Sequence, residues 1–151
     1  MTASIRRAGP EHLDAICRLL AVQLAEHHVV IPDEELAAAI EGVLAVPRRG
    51  FFLVAEDDGA CVGVAYVSLL WALEHGGQAA WLEELYVVPD RRGSGLGARL
   101  LEAVLAAARG AGCAAIDLEI EPDHERVRSL YARHGFTALS RRRMVTRLTP
   151  S

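Results

Sequence analysis

The segment Leu82-Glu83-Glu84-Leu85-Tyr86-Val87-Val88-Pro89-Asp90-Arg91-Arg92-Gly93-Ser94-Gly95-Leu96-Gly97 places a strand-like run, a basic turn and a helix start in direct succession. Its chemistry is anion binding. Gly93, Gly95 and Gly97 lack a Cβ, so backbone N–H groups can come close to a ligand, and a helix N-terminus adds unpaired donors and partial positive charge. Arg91 and Arg92 stand beside that turn, and a phosphate or pyrophosphate is its natural guest. One competing reading is a tight strand-to-helix loop with no ligand. Another is a dinucleotide site, because Gly93-Ser94-Gly95-Leu96-Gly97-Ala98 fits G-x-G-x-x-A and Asp117 follows about twenty residues on, at an expected strand. Against the dinucleotide site, Pro89 to Arg92 separate strand from glycine, and the remaining chain is short for the rest of such a sheet. A nucleoside-triphosphate P-loop is excluded, since no Gly-Lys-Ser/Thr follows.

Positioning this turn requires a strand before it and a helix after it. Leu96, Leu100, Leu101, Val104, Leu105 and Ala108 form one apolar face, closed by Gly110 and Gly112, and predict that helix. Upstream, the pattern predicts a strand at 4–7 and a helix opened by Gly9-Pro10 and carried by Leu13, Ile16, Cys17, Leu20 and Leu24. A loop at 27–32 leads to a second helix that begins after Asp33 and stops before Pro47. From Phe51 the period becomes that of strands. Residues 51–56 and 61–71 read as a hairpin about Asp57-Asp58-Gly59, and 80–88 reads as a third strand that Pro89 ends. Beyond the glycine helix the expectations are a strand at 114–120, a helix at 124–134 ended by Gly135, and a last strand at 142–148. The order predicts an α+β fold with a mixed, mostly antiparallel central sheet flanked by helices, in one domain over 1–151.

Composition narrows the classes of function. A formal charge of -4 with scattered arginines gives no electrostatic case for a nucleic-acid partner. The longest apolar stretch, 60–73, is about five residues too short to cross a bilayer as a helix and reads as a buried strand. No secretory signal is encoded at the N-terminus, and no membrane partner is expected. Cys17, Cys61 and Cys113 are odd in number, widely spaced and set among apolar residues, the pattern of reduced thiols in a cytoplasmic protein. They make no metal-ligand spacing with His27, His28 or His124, so no metal is expected.

The central segment resembles the core motif of the GCN5-related N-acetyltransferase (GNAT) superfamily, Gln/Arg-x-x-Gly-x-Gly/Ala behind a strand ending in Val-x-Pro. Arg92, Gly95 and Gly97 fill it behind Val87 and Pro89. A second feature of that family, Leu-Tyr followed by Gly-Phe, is present as Leu130-Tyr131 and Gly135-Phe136, and the element order matches over essentially the whole chain. The resemblance implies an acetyl-CoA-dependent N-acetyltransferase. Its cosubstrate pyrophosphate would be held by the turn, at Arg91, Arg92, Gly93, Ser94, Gly95, Leu96 and Gly97. The pantetheine arm would pair with backbone at Leu85, Tyr86 and Val87, where an N–H would polarise the thioester carbonyl.

The acceptor amine must lose a proton before it attacks, and carboxylates on the strand would take it. The resemblance points to Glu83 as base and Glu84 as a substrate contact. In a regular strand the two would face opposite sides, and a bulge would bring both toward the cleft. Tyr131 matches the tyrosine that protonates the departing thiolate, with an ordinary core tyrosine as the alternative. His124 stands where the family often has an asparagine that bonds the pantetheine. Trp71 flanks the loop at 74–78, and His28 lies between the first two helices, a region that shapes the acceptor pocket in that family. The implied partner is a small-molecule amine, namely a polyamine, an amino acid or an aminoglycoside-like compound, and a homodimer is admitted as the assembly. A CoA-binding sensor without turnover and a dinucleotide-binding module are the alternatives, and the retention of Glu83 and Tyr131 argues against the sensor.

Overall fold

The computed structural model describes residues 2–122 and 124–150. The chain divides into two compact units, one up to Glu119 and the other from Ile120. The first contains β1 (Ser4–Arg7), α1 (Leu13–Glu26), α2 (Asp33–Ala45), β2 (Gly50–Asp57), β3 (Ala60–Ala72), β4 (Gly77–Val87), α3 (Leu96–Gly110) and β5 (Ile116–Leu118). The second contains α4 (Glu125–Arg133). The fold is α+β, with a five-stranded sheet in the order β1-β2-β3-β4-β5. Every neighbouring pair is antiparallel except β4 with β5, which α3 connects in parallel.

Local chemistry accounts for most of these elements. Asp58 (φ 49°) and Gly59 (φ 77°) are both left-handed, as a two-residue hairpin whose twist matches its strands requires. β2 is buried from Gly50 through Ala55, so it is covered on both faces and reads as a continuous apolar run without alternation. On one face, Ile16, Leu20, Leu36 and Ile40 of α1 and α2 pack with Phe52, Val54, Val64 and Tyr86. The other face meets α3, which buries Leu96, Leu100, Leu101, Val104 and Ala108. Gly63 makes that approach possible, because a Cβ there would lie 2.9 Å from the Leu100 Cδ1.

Two expectations need correction. The strand at 114–120 shortens to the three residues of β5. The last strand, at 142–148, is not formed: the segment has no ladder partner, and Met144, Val145 and Leu148 are largely exposed. A strand is held by its neighbour's hydrogen bonds and by a buried face. This segment has neither, whatever its side-chain types suggest.

Candidate active site

The register between β3 and β4 slips once. Tyr66 pairs with Glu84 while Val67 pairs with Leu82, so Glu83 is the extra residue of a β-bulge. The slip decides where two carboxylates go. Cross-strand partners share a face, which puts Glu84 with Tyr66, Phe52 and Val64 on the side that α1 and α2 cover. Glu83 reaches the same side, where it accepts a hydrogen bond of 2.7 Å from the Ser68 hydroxyl. The Tyr66 ring stacks on Phe52 at 4.7 Å. Burial, and secondarily the Glu83 charge, push the Tyr66 hydroxyl upward, so it is protonated at neutral pH.

The two glutamates differ in environment. Glu83 is exposed, whereas Glu84 is half-buried and its carboxyl is pushed up to about 7, first by burial and then by the neighbouring Glu83 charge. A carboxyl that titrates near neutrality is suited to exchanging a proton with a bound cation.

Beyond the bulge, one edge of β4 is open. β5 pairs with Ala80 to Leu82, and among the described residues no strand pairs with 83–87 on that side. The Val88 N–H bonds the Val62 carbonyl at 3.0 Å, and the antiparallel alternation that follows turns the N–H and C=O of Leu85 and Val87 outward. Both outward carbonyls are covered, Leu85 by the Gln23 amide at 3.0 Å and Val87 by Arg92 Nε at 2.9 Å. The outward N–H groups of Leu85 and Val87 are left as the donors of this edge. Tyr86, between them, points its ring into the core.

The edge runs into the glycine turn. Gly93 (φ 80°) and Gly95 (φ 86°) are left-handed, and a Cβ built on either meets nothing within 4 Å. Conformation, not crowding, demands glycine here, and the space such a Cβ would enter is open to a ligand. The first amide of α3 with an internal acceptor is Arg99, bonded to the Gly95 carbonyl at 3.1 Å. The N–H groups of Leu96, Gly97 and Ala98 therefore have no helical acceptor, and the turn fits a phosphate group. Ser94 bonds its hydroxyl back to the Arg91 carbonyl and steadies the turn. The arginines are engaged with protein. Arg91 forms an ion pair with Asp57 at the β2–β3 turn. Arg92 lies over the Tyr86 ring at 5.3 Å and 3.8 Å from the Glu26 carboxylate. A phosphate at this turn would be held chiefly by backbone, with the arginines supplying field.

In the second unit, α4 explains the Leu-Tyr and Gly-Phe pattern physically. Gly135 (φ 90°) donates to the Ala132 carbonyl and Phe136 donates to the Tyr131 carbonyl, the paired bonds of a Schellman helix end. Phe136 and Tyr131 make the hydrophobic contact that accompanies this motif, with ring centroids 5.5 Å apart. Tyr131 is buried and its ring orientation is set by the helix end. His124 occupies the N-cap position, where its carbonyl accepts the Arg128 N–H.

Trp71 is 74% exposed, and the alternation along β3 places it on the face opposite to Tyr66 and Ser68. His28 is exposed in the left-handed region after α1. Asp117, the ribose contact of a dinucleotide site, is bonded to His75 at 2.9 Å. A groove lined by Pro10, Leu13, Glu41, Leu44 and Ala45 shares no residue with the site. Among the described residues no cluster suited to a metal ion is present, and no helix is long and apolar enough to cross a membrane.

Tyr66, Ser68 and Gln23 were not legible as site residues. Only Gln23 carried a signal: it continues the apolar stripe of Ile16, Leu19 and Leu20, where a polar residue needs a reason.

A strand opened after a bulge, leading into a glycine turn at a helix start, defines the class of acyl-CoA N-acyltransferases, and comparison with known proteins agrees. The chain belongs to the acetyltransferase (GNAT) family, whose model matches residues 13–136. It is an acetyl-CoA-dependent N-acetyltransferase that acts on an amine, which removes the dinucleotide module and the inactive sensor. Its relatives include aminoglycoside N(6')-acetyltransferase type 1 of Klebsiella aerogenes, 32% identical over 110 residues that make up 72% of each chain. Among solved structures, an integron cassette protein from the mobile metagenome of Cole Harbour Salt Marsh shares the fold with a TM-score of 0.85 at 24% identity, covering 97% of this chain and 91% of that one. The aminoglycoside N-acetyltransferase AAC(6')-Iy, solved in complex with CoA, has a TM-score of 0.82 at 23% identity, over 97% of this chain and 95% of that one.

Proposed function

We propose that this enzyme acetylates a primary amine of a small cationic molecule by direct attack of the amine on the thioester, with Glu84 as the general base. The observation that carries this reading is the bulge, which sets Glu83 and Glu84 on one side of β4 with one carboxyl pushed up to about 7. The base falls to Glu84, where resemblance alone favoured Glu83, because a base works best when its pKa lies near the working pH. Glu83, exposed beside it, holds the incoming ammonium. Acetyl-CoA supplies the electrophilic thioester carbonyl. Glu84 takes a proton from the ammonium and so frees the nitrogen lone pair, which then forms the C–N bond. The Leu85 N–H stabilises charge on the acyl oxygen. Tyr131 protonates the sulfur as the C–S bond breaks, and the second proton shed by the acylated nitrogen restores the tyrosine hydroxyl.

The N–H groups of 93–98 hold the pyrophosphate and those of Leu85 and Val87 the pantetheine, with Arg91, Arg92 and His124 in support. Likeness to aminoglycoside acetyltransferases and the acidic pair together favour a polycationic acceptor, an aminoglycoside-like compound or a polyamine, over a free amino acid. The family match runs across both units, which supports reading 1–151 as one acetyltransferase domain. Three unpaired cysteines suit a reducing, cytoplasmic setting. The test is thiol release from acetyl-CoA with aminoglycosides, polyamines, amino acids and peptide N-termini in parallel. Release confined to polycations supports the assignment, and release only with amino acids or peptides refutes it.

A further inference from the structure

Gln23 lies on the buried stripe of α1 and is 8% exposed. Its orientation follows from chemistry: the Leu85 carbonyl can only accept, so the atom 3.0 Å from it is the Nε2–H donor. Oε1 therefore points away from that carbonyl, and among the described residues it has no hydrogen-bond partner. Buried acceptors are almost always paired, so this one calls for an explanation.

The place of Gln23 supplies one. A ligand that adds to the open edge of β4 as a strand would donate an N–H to the outward Leu85 carbonyl, and the Gln23 amide already does so. A carboxamide in that position turns its N–H to the strand and leaves its C=O as a buried acceptor beside that edge. Three residues on, Glu26 comes within 3.8 Å of Arg92 at the glycine turn, so this end of α1 follows the opening from Leu85 to the turn.

We infer that Gln23 is a substrate-binding residue whose Oε1 accepts a hydrogen bond from an N–H of a bound substrate, in place of the Leu85 carbonyl that its own amide covers. This rests on the acetyltransferase reading of the site. Two substrates carry such a group: the acyl donor, through the secondary amides of its pantetheine arm, and the acceptor amine.

The test compares wild type with Gln23→Met, which has the same length and no amide, and with Gln23→Glu, which keeps an acceptor oxygen. Calorimetry gives Kd for CoA and for 3′-phospho-ADP, which has the pyrophosphate but no pantetheine amide, and steady-state kinetics give the amine KM. If the donor is pantetheine, Gln23→Met weakens CoA about tenfold, the worth of one hydrogen bond, and leaves 3′-phospho-ADP unchanged. If the donor is the acceptor, the amine KM rises about tenfold while CoA binding holds. Gln23→Glu restores the affected constant only where its carboxyl is protonated and can still donate to the Leu85 carbonyl. Equal weakening of CoA and 3′-phospho-ADP, or no change in either Kd or in the amine KM, overturns the inference. Should Gln23→Met not fold, the wild-type Gln23 Cδ resonance decides: it shifts on adding CoA or amine, and no shift with either overturns the inference. A wild type that releases thiol with an amine while Gln23→Met matches it defeats this inference alone. A wild type that binds no CoA defeats the functional reading first.

Discussion

Replacing Glu84 by glutamine tests the proposed base through stability as well as rate. In the folded chain the carboxyl binds its proton more tightly than in the unfolded chain, its pKa moving from 4.5 to about 7. The native state therefore holds its full share of stability below about pH 4.5 and loses it as pH rises through 7. At about 1.36 kcal/mol per pH unit the full loss is roughly 3 kcal/mol. Because the group is only half-buried and water screens it, about half of that, on the order of 1.5 kcal/mol, is the expected effect. Glu84→Gln keeps the shape and discards the charge, so at pH 8 it should melt about 3 to 6 °C above wild type, a gap that closes as pH falls toward 4.5. Thermal melts over that range measure it. The same variant should lose about 100-fold or more in kcat/KM for the amine, the usual worth of a general base. A variant that is more stable and less active is the signature of a group strained for function. A melting temperature equal to wild type at pH 8, or a gain that does not vary with pH, would refute the argument that burial tunes this carboxyl.

Glu83→Gln removes the charge that helps to raise Glu84, so the acidic limb of the kcat/KM profile, in which activity rises as the base loses its proton, should move to lower pH while the amine KM rises; an unmoved limb would mean that the two carboxyls do not interact. Tyr131→Phe keeps the ring contact with Phe136, so melting temperature and CoA affinity should hold while kcat falls about 100-fold, and an unchanged kcat would remove the acid role. Gly95→Glu should still fold, at a cost of about 1 to 2 kcal/mol for a side chain in the left-handed region. Its CoA affinity should drop about 100-fold, as roughly two charge-assisted hydrogen bonds are lost; calorimetry showing wild-type affinity would place the pyrophosphate elsewhere.

Local features were legible in the sequence alone. The turn at Asp58-Gly59, the left-handed glycines at 93 and 95, the stripe of α3 and the Tyr131 to Phe136 helix end all follow from φ preferences and periods carried by a few adjacent residues. From them came the family resemblance and the turn proposed for the cosubstrate. The tertiary structure decided what depends on residues far apart. The slip opposite Tyr66 gathers Glu83 and Glu84 on one face, and the packing of α1 and α2 buries one more than the other, so their roles follow from environment and not from residue type. Arg91 reads as an anion ligand in the sequence and is tied by the fold to Asp57. Residues 142–148 have the composition of a strand, but a strand exists only where another edge receives it. Gln23 becomes a candidate only because the helix that carries it lies against the open edge of β4. Hydrogen-bond partners and burial are collective properties of the packed chain, and a window of sequence holds neither.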